Sequence, residues 1–141
     1  MSVNSSTRLN DVSLEAVAGL VAEIQERPEV AETTWSAEVR WTGGFRSEAR
    51  IREFELLASD EPAALGGTDR APNPVEQLLA SLGNCLAVGY AANASVAGIE
   101  LRDLRIDLSG DVDLHAPAGR VGRKGDRAPA HVRFDHVALR Q

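Results

Sequence analysis

The sequence predicts an α+β protein in which a mostly antiparallel sheet wraps one long buried central helix. Three observations carry this. Between Glu76 and Glu100 there is no charged residue, and a helix that is apolar on nearly every side is a buried one. On both sides of it lie segments where apolar and polar residues alternate, the period of half-buried strands. The resulting order is a short helix, two strands, the long helix and two or three strands, which is an α+β order and not a βαβ repeat.

The long helix announces its own ends. Asn73 is placed to cap it, Pro74 occupies the first helical position where a missing N–H costs nothing, and Glu76 completes a capping box. Gly98 supplies the stop. Gln77, Ser81, Asn84, Asn93, Ser95 and two internal glycines argue against a membrane span and for a helix encased by protein on most sides. Such a helix needs more cover than two hairpins and one short helix provide, so a homodimer is expected.

Taken in order, residues 1–29 form a tail and a short packing helix, and 30–141 form the main domain. Residues 1–11 are polar and expected to fray. Ser13 caps the short helix, Val12 and Val17 are spaced as a hydrophobic staple, and Leu14, Val17, Val21 and Ile24 make its apolar stripe before Pro28 ends it. Trp35, Ala37, Val39 and Trp41 mark a strand, Thr42-Gly43-Gly44 a turn, and Phe45 to Leu56 a second strand. The apolar phase slips after Ile51, as a bulge there would require. Residues 60–72 read as a loop. Leu104, Ile106 and Leu108 begin the next strand, residues 115–129 are a loop rich in Gly, Pro and Arg, and the last strand holds Val132, Phe134, Val137 and Leu139 with a phase slip at Asp135-His136.

At 141 residues the chain is one domain, large enough to bury a core without disulfides or metals. A formal charge of −6 disfavours nucleic acid and anionic membranes as partners. One cysteine cannot form an internal disulfide, and the N-terminus lacks the apolar core of a signal peptide, so a cytoplasmic protein is expected. His115, His131 and His136 with Asp135 show no paired ligand spacing, and no metal or cofactor is expected. Arg120, Arg123, Lys124 and Arg127 make a basic loop without the lysine-Ser/Thr pair of a phosphate-cradling loop.

Cys85, at the middle of the long helix, is the candidate nucleophile. A cysteine there is either an inert small hydrophobe or a reactive thiol. Asn84 and Asn93 favour a pocket or interface along the helix. Glu76, nine residues earlier, projects from the opposite face roughly 13 Å away along the axis, so it meets a thiol only across a symmetry mate.

The segment GGTDRAPNPVEQLLASLGNCLA (66–87), followed by AGIELRDLRIDLSGDVDL (97–114), resembles the signature of the OsmC/Ohr family, and the hairpin that precedes it fits as well. The resemblance implies an intertwined homodimer with two central helices, in which a helix cysteine reduces organic hydroperoxides in oxidative stress defence. A second cysteine and a dithiol then regenerate it. Cys85 matches the peroxidatic position and Glu76 the activating acid, at nine residues' spacing where the peroxidases have ten. Arg46, after the Gly43-Gly44 turn, is the best candidate for the activating arginine, with Arg50 and Arg52 close by. The second cysteine and the helix that carries it have no counterpart. A shortened, one-cysteine thiol peroxidase dependent on an external dithiol is therefore expected, with a bare apolar patch near the final strand. The alternative is a non-catalytic relative that binds a small apolar ligand, with Cys85 structural.

Overall fold

The computed structural model describes residues 8–112 in full and the backbone of residues 131–140. Along the chain come β1 (Arg8–Leu9), β2 (Val12–Ser13), α1 (Leu14–Glu26), a 3-10 turn (Pro28–Ala31), β3 (Glu38–Gly43), β4 (Arg46–Arg50), β5 (Leu57–Ser59), a second 3-10 turn (Ala63–Leu65), α2 (Pro74–Val96), β6 (Asp103–Asp111) and β7 (His131–Arg140). All strand pairs are antiparallel, in three small sheets ordered β1-β2, β3-β4-β5 and β6-β7. The α+β class is as the sequence implies.

Helix α2 begins and ends where the sequence places it. Asn73 Oδ1 accepts from the Glu76 amide and Glu76 Oε2 from the Asn73 amide, both at 2.8 Å. At the other end Gly98 adopts φ 72°, a left-handed conformation that favours glycine. This lets the Ile99 amide reach the Ala94 carbonyl at 2.8 Å and the Gly98 amide reach that of Ser95 at 3.1 Å, closing the last turn as a Schellman motif.

One face of α2 lies on β6. An added Cβ at Gly83 would meet Leu108 at 3.4 Å, and one at Gly110 would meet Leu79 at 3.4 Å, so helix and strand approach closely at both crossings. The other face is bare. Leu78, Val88 and Val96 are 64%, 70% and 67% exposed, and Ser95 is the helix's one buried residue. Among the described residues, α2 is thus covered on its β6 side, while the side on which a second copy was expected to lie is exposed. Among the described residues no hydrophobic side chain is buried at all.

The central hairpin differs from its sequence reading in three ways, the first being its turn, which falls on Gly44-Phe45, between Gly43 at the end of β3 and Arg46 at the start of β4. Its first strand starts at Glu38, so Trp35 and Ala37 precede it. The phase slip after Ile51 is a turn instead of a bulge: Arg52 takes φ 51°, the Phe54 amide reaches the Ile51 carbonyl at 3.2 Å, and the Arg52 guanidinium lies 4.6 Å from the Phe54 ring centroid. The chain then returns as a third strand, β5, alongside β4. Register sets Val39 opposite Ala49 and Ala49 opposite Leu57, with Trp41 opposite Ser47. These residues share one face of the sheet, since side chains alternate. Glu38, Arg40, Glu48 and Arg50 share the other. The slip foreseen at Asp135-His136 is present. Asp107 pairs with His136 and Leu108 with Phe134, which leaves Asp135 as the extra residue of a bulge.

The N-terminal segment is corrected more substantially. Arg8 to Ser13 do not fray but form a hairpin, with Asn10 and Asp11 at φ 53° and 59°. That conformation suits a two-residue turn, and Asn and Asp tolerate it. Asn10 then docks on the end of α2. Its Nδ2 donates to Ser95 Oγ at 3.0 Å and to the Ile99 carbonyl at 2.9 Å, and its Oδ1 accepts from the Leu101 amide at 2.8 Å. Ser95 Oγ also lies 2.9 Å from the Leu9 carbonyl and 2.7 Å from that of Ala91. Helix α1 forms as expected, with Ser13 Oγ accepting from the Ala16 amide at 3.3 Å, but none of its residues is buried. Among the described residues its main packing partner is the 3-10 turn that follows it. The bare patch expected beside the final strand falls on side chains outside the described residues.

Asn10→Ala removes one acceptor and two donations at a part-buried site. At a fixed protein concentration the urea midpoint should fall by the equivalent of about 1–3 kcal/mol, with the slope of the transition unchanged. Loss of hydrogen-exchange protection should centre on the Leu101 amide.

Candidate active site

The chain between β5 and α2 is tied down by one carboxylate. Asp60 is 1% exposed. Its Oδ1 accepts from the Glu61 amide at 2.9 Å, and its Oδ2 from the Thr68 hydroxyl at 2.6 Å and the Thr68 and Arg70 amides at 3.2 Å each. Inside this knot Gly67 lies against the Glu61 backbone, so that a Cβ would sit 1.8 Å from the Glu61 carbonyl oxygen. Pro72 O gathers the Asp60 amide at 3.5 Å, the Ser59 hydroxyl at 3.3 Å and Gln77 Nε2 at 3.0 Å. Gln77 Nε2 also reaches the Ala58 carbonyl at 2.7 Å. Strand β5, the loop and the first turn of α2 are thus held as one unit, and Glu76 is set in place by it.

Glu76 borders two open cavities. One, of about 560 Å³, runs between α2 and β6, where Leu79, Ala80, Ala87, Leu104, Ile106 and Leu108 supply an apolar lining and Asn84 and Asp107 polar groups. The other, of about 620 Å³, lies at the start of the helix beside Asp69, Arg70 and Pro72. Cys85 lines neither. It is exposed, on the outer face with Leu78, Val88 and Val96. The nine-residue spacing does what the sequence requires of it: nine steps of about 100° set acid and thiol on opposite faces of a straight helix.

Arg46 opens β4 opposite Gly43, and its guanidinium lies 3.6 Å from where a Gly43 Cβ would stand. It therefore folds back over the hairpin tip. Among the described residues, the side chains of Cys85 and Arg46 make no hydrogen bond or ion pair with one another or with Glu76. One chain brings together the acid and the helix start, but sets the thiol on the far side of the helix.

Sequence reasoning missed Asp60, Asn10 and Ser95. The Asn10-Asp11 dipeptide carries a turn signal that could have found the hairpin. The Asp60 knot is made with backbone amides, which leave no residue pattern. Of the histidines weighed as metal ligands, His115 lies outside the described residues. His131 and His136 stand at register positions opposite Asp111 and Asp107, and the bulge between them breaks the simple alternation of β7. Among the described residues there is no group of three or more His, Cys, Asp or Glu suited to a metal, and no helix is long and apolar enough to cross a membrane.

A family profile described as OsmC-like protein matches residues 67–138. Among solved structures, an osmotic stress induced and detoxification response protein of Psychrobacter arcticus 273-4 is similar, with a TM-score of 0.53 at 17% identity over 72% of this chain. That likeness concerns the fold, and it spans 65% of the other protein's length. No curated protein matches.

The four hydrogen bonds hold Asp60 ionised. The Thr68 hydroxyl and then the Arg70, Glu61 and Thr68 amides lower its pKa from 3.8 to about 2, against an opposing effect of burial. A depressed carboxylate contributes stability that is fully present above its unfolded value and is lost as pH falls through its folded one. The stability gap between wild type and Asp60→Asn should therefore be constant above about pH 5 and narrow between about pH 5 and pH 2. Denaturation curves taken across that range check it, and a gap that does not change down to pH 2 would contradict the assignment.

Proposed function

Because this chain belongs to the OsmC-like family, we propose that it is a homodimeric thiol peroxidase that consumes organic hydroperoxides through Cys85. The observation carrying this reading is the position of Cys85: mid-helix, exposed, and on a face of α2 that its own chain leaves uncovered. The neighbouring protein's description as a stress and detoxification protein agrees with it.

The dimer follows from unmet burial. Among the described residues no hydrophobic side chain is buried, and Leu78, Val88 and Val96 of α2 and Val39 and Trp41 of β3 are exposed. Two apolar surfaces ask for cover: the outer face of α2, and the sheet face of Val39, Trp41, Ala49 and Leu57. In a dimer each covers the other's counterpart, and Cys85 comes to lie between chains, where residues of the second hairpin surround it.

Peroxide reduction then runs in two balanced steps. The Cys85 thiolate attacks the terminal oxygen of ROOH and the O–O bond breaks. The alkoxide takes a proton and leaves as ROH, and the sulfur is oxidised to a sulfenic acid. An external dithiol displaces water from the sulfenic acid to give a mixed disulfide. Its second thiol attacks that bond, releasing a cyclic or linear disulfide and the Cys85 thiol. A helix middle gives the thiolate no help from the helix dipole, so a cation has to be supplied. Arg46 from the hairpin fills that role, with Glu76 orienting it.

The apolar groove between α2 and β6 favours a second reading, a binding protein for a small apolar ligand with Cys85 inert. Steady-state consumption of cumene hydroperoxide with a dithiol separates the two. In the peroxidase reading Cys85→Ser abolishes turnover, Arg46→Ala slows it by about tenfold or more while leaving the fold intact, and oxidised protein traps as a sulfenic acid or mixed disulfide. Wild-type protein that consumes no hydroperoxide but binds an apolar fluorophore, displaceable from the groove, supports the second.

Sedimentation at micromolar concentration should show a dimer. A well-folded monomer there would remove the basis for placing Cys85 between chains.

A further inference from the structure

We propose that Phe45 is a positioning residue for Arg46: its ring, seated on the bare backbone of Gly66, holds the tip of the β3-β4 hairpin against the loop that Asp60 ties down. The inference rests on the peroxidase reading, in which Arg46 supplies the cation at Cys85, and adds what sets that arginine in place.

The hairpin tip has little else to hold it. Gly43 and Gly44 adopt φ 113° and 61°, and glycine leaves the backbone free over a wide range. The register shifts between Trp41 and Gly43, so the ladder is interrupted at Thr42 and the strand bends there. Ser47 has partners on both sides, Trp41 on β3 and Ser59 on β5. Arg46, one position nearer the tip, is paired with Gly43 and has no register partner on β5, which ends at Ser59.

Two contacts make up for this. On one side Trp41 Nε1 donates to the Gly44 carbonyl at 2.8 Å. On the other the Phe45 ring edge lies against Gly66, where an added Cβ would stand 3.1 Å from Phe45 Cε2 and 3.8 Å from Cδ2. Carbon atoms at optimal separation stand about 3.5–4.0 Å apart, so the ring edge uses space that a glycine leaves open. Phe45 is 59% exposed, too open to serve as core.

The seat itself is fixed. Gly66 closes the second 3-10 turn at φ 91°, with its amide on the Ala63 carbonyl at 3.0 Å. The Gly67 amide reaches the Pro62 carbonyl and the Asp69 amide the Glu61 carbonyl, both at 3.1 Å. Asp60 then gathers Thr68 and Arg70. The ring thus refers the root of the Arg46 side chain to a loop locked by hydrogen bonds. Such placement matters to chemistry, since a misplacement of about 1 Å can lower a rate by on the order of 10²-fold.

The order of the tip is measured first, because it needs no turnover. In ¹⁵N-labelled protein, NOEs should link the Phe45 ring protons to the Gly66 Hα protons. Phe45→Ala should lower the heteronuclear NOE of the Gly44 and Arg46 amides and of the Arg46 Hε–Nε pair. Protection of the Thr68 and Arg70 amides should be unchanged; its loss would make the ring a support of the loop and overturn the assignment. With cumene hydroperoxide and a dithiol, Phe45→Ala should lower kcat/KM by about tenfold, and Phe45→Tyr, which keeps the ring, should restore it. In an Arg46→Ala background Phe45→Ala should change kcat/KM by less than about twofold, because groups that act as one unit are not additive. Full additivity, or a Phe45→Ala protein with an equally ordered tip, overturns the proposal. Wild-type protein that consumes no hydroperoxide overturns the peroxidase reading instead, and the NOE measurements still decide whether Phe45 holds Arg46.

Discussion

Everything in this molecule turns on a helix that is apolar on two opposite faces while its own chain covers one of them. From Gln77 to Ile99 no charge interrupts α2, and among the described residues its cover comes from β6. Strand β6 takes the face of Leu79, Ala80, Gly83 and Ala87, close enough that a Cβ at Gly83 or Gly110 would be in van der Waals contact across the crossing. The face of Leu78, Cys85, Val88 and Val96 is left over. Each large aliphatic side chain left in water forgoes roughly 1.5–3 kcal/mol, and a domain's whole stability is about 5–15 kcal/mol. A few such residues are therefore comparable with a domain's whole stability, and among the described residues no hydrophobic side chain is buried.

Polar interactions do a different job here: they fix positions. At the start of α2 the Asp60 knot and the capping box hold the helix to β5. At its end the Asn10–Ser95 cluster holds the N-terminal hairpin. The Asp60 knot and the Asn10–Ser95 cluster use part-buried bonds, so their stabilising effect is modest in net terms and large if one partner is deleted. The helix is accordingly located at both ends by hydrogen bonds before its bare face meets anything. A preset helix loses less conformational freedom on association than one that must also be ordered.

How much of this was legible beforehand varies with the kind of interaction. Caps, the glycine stop and the opposition of Glu76 and Cys85 are properties of local sequence and 100° steps, and they read correctly. So does the bulge at Asp135, because a phase slip in alternation is visible in the residues themselves. The third strand was missed because Arg52 takes a left-handed conformation that nothing in an arginine announces, and the slip it causes looks like a bulge. The hairpin at Arg8–Ser13 was missed because a polar segment reads as frayed, although its order comes from hydrogen bonds to residues some ninety positions away. Apolarity says that a surface asks for cover, and it is silent on which chain supplies it. The family and the helix-borne cysteine were legible, but the setting of Arg46 at a hairpin tip was not, since side-chain direction at a turn depends on backbone register.

The opposition of acid and thiol on one helix carries a structural consequence for any chemistry at Cys85. A carboxylate and an arginine can act on a sulfur only within hydrogen-bond reach. Within one chain Glu76 is turned toward β6, half a helical circumference and about 13 Å from Cys85. No rotamer of Glu76 spans that. A composite site is therefore possible only where two α2 helices cross, so that the outer face of one meets groups presented by the other. In such an arrangement the apolar surface that drives association and the surface that bears the thiol are one and the same. Substitutions that loosen the interface would then lower activity even when they lie far from the sulfur, and reactivity at Cys85 would depend on protein concentration as the dimer does.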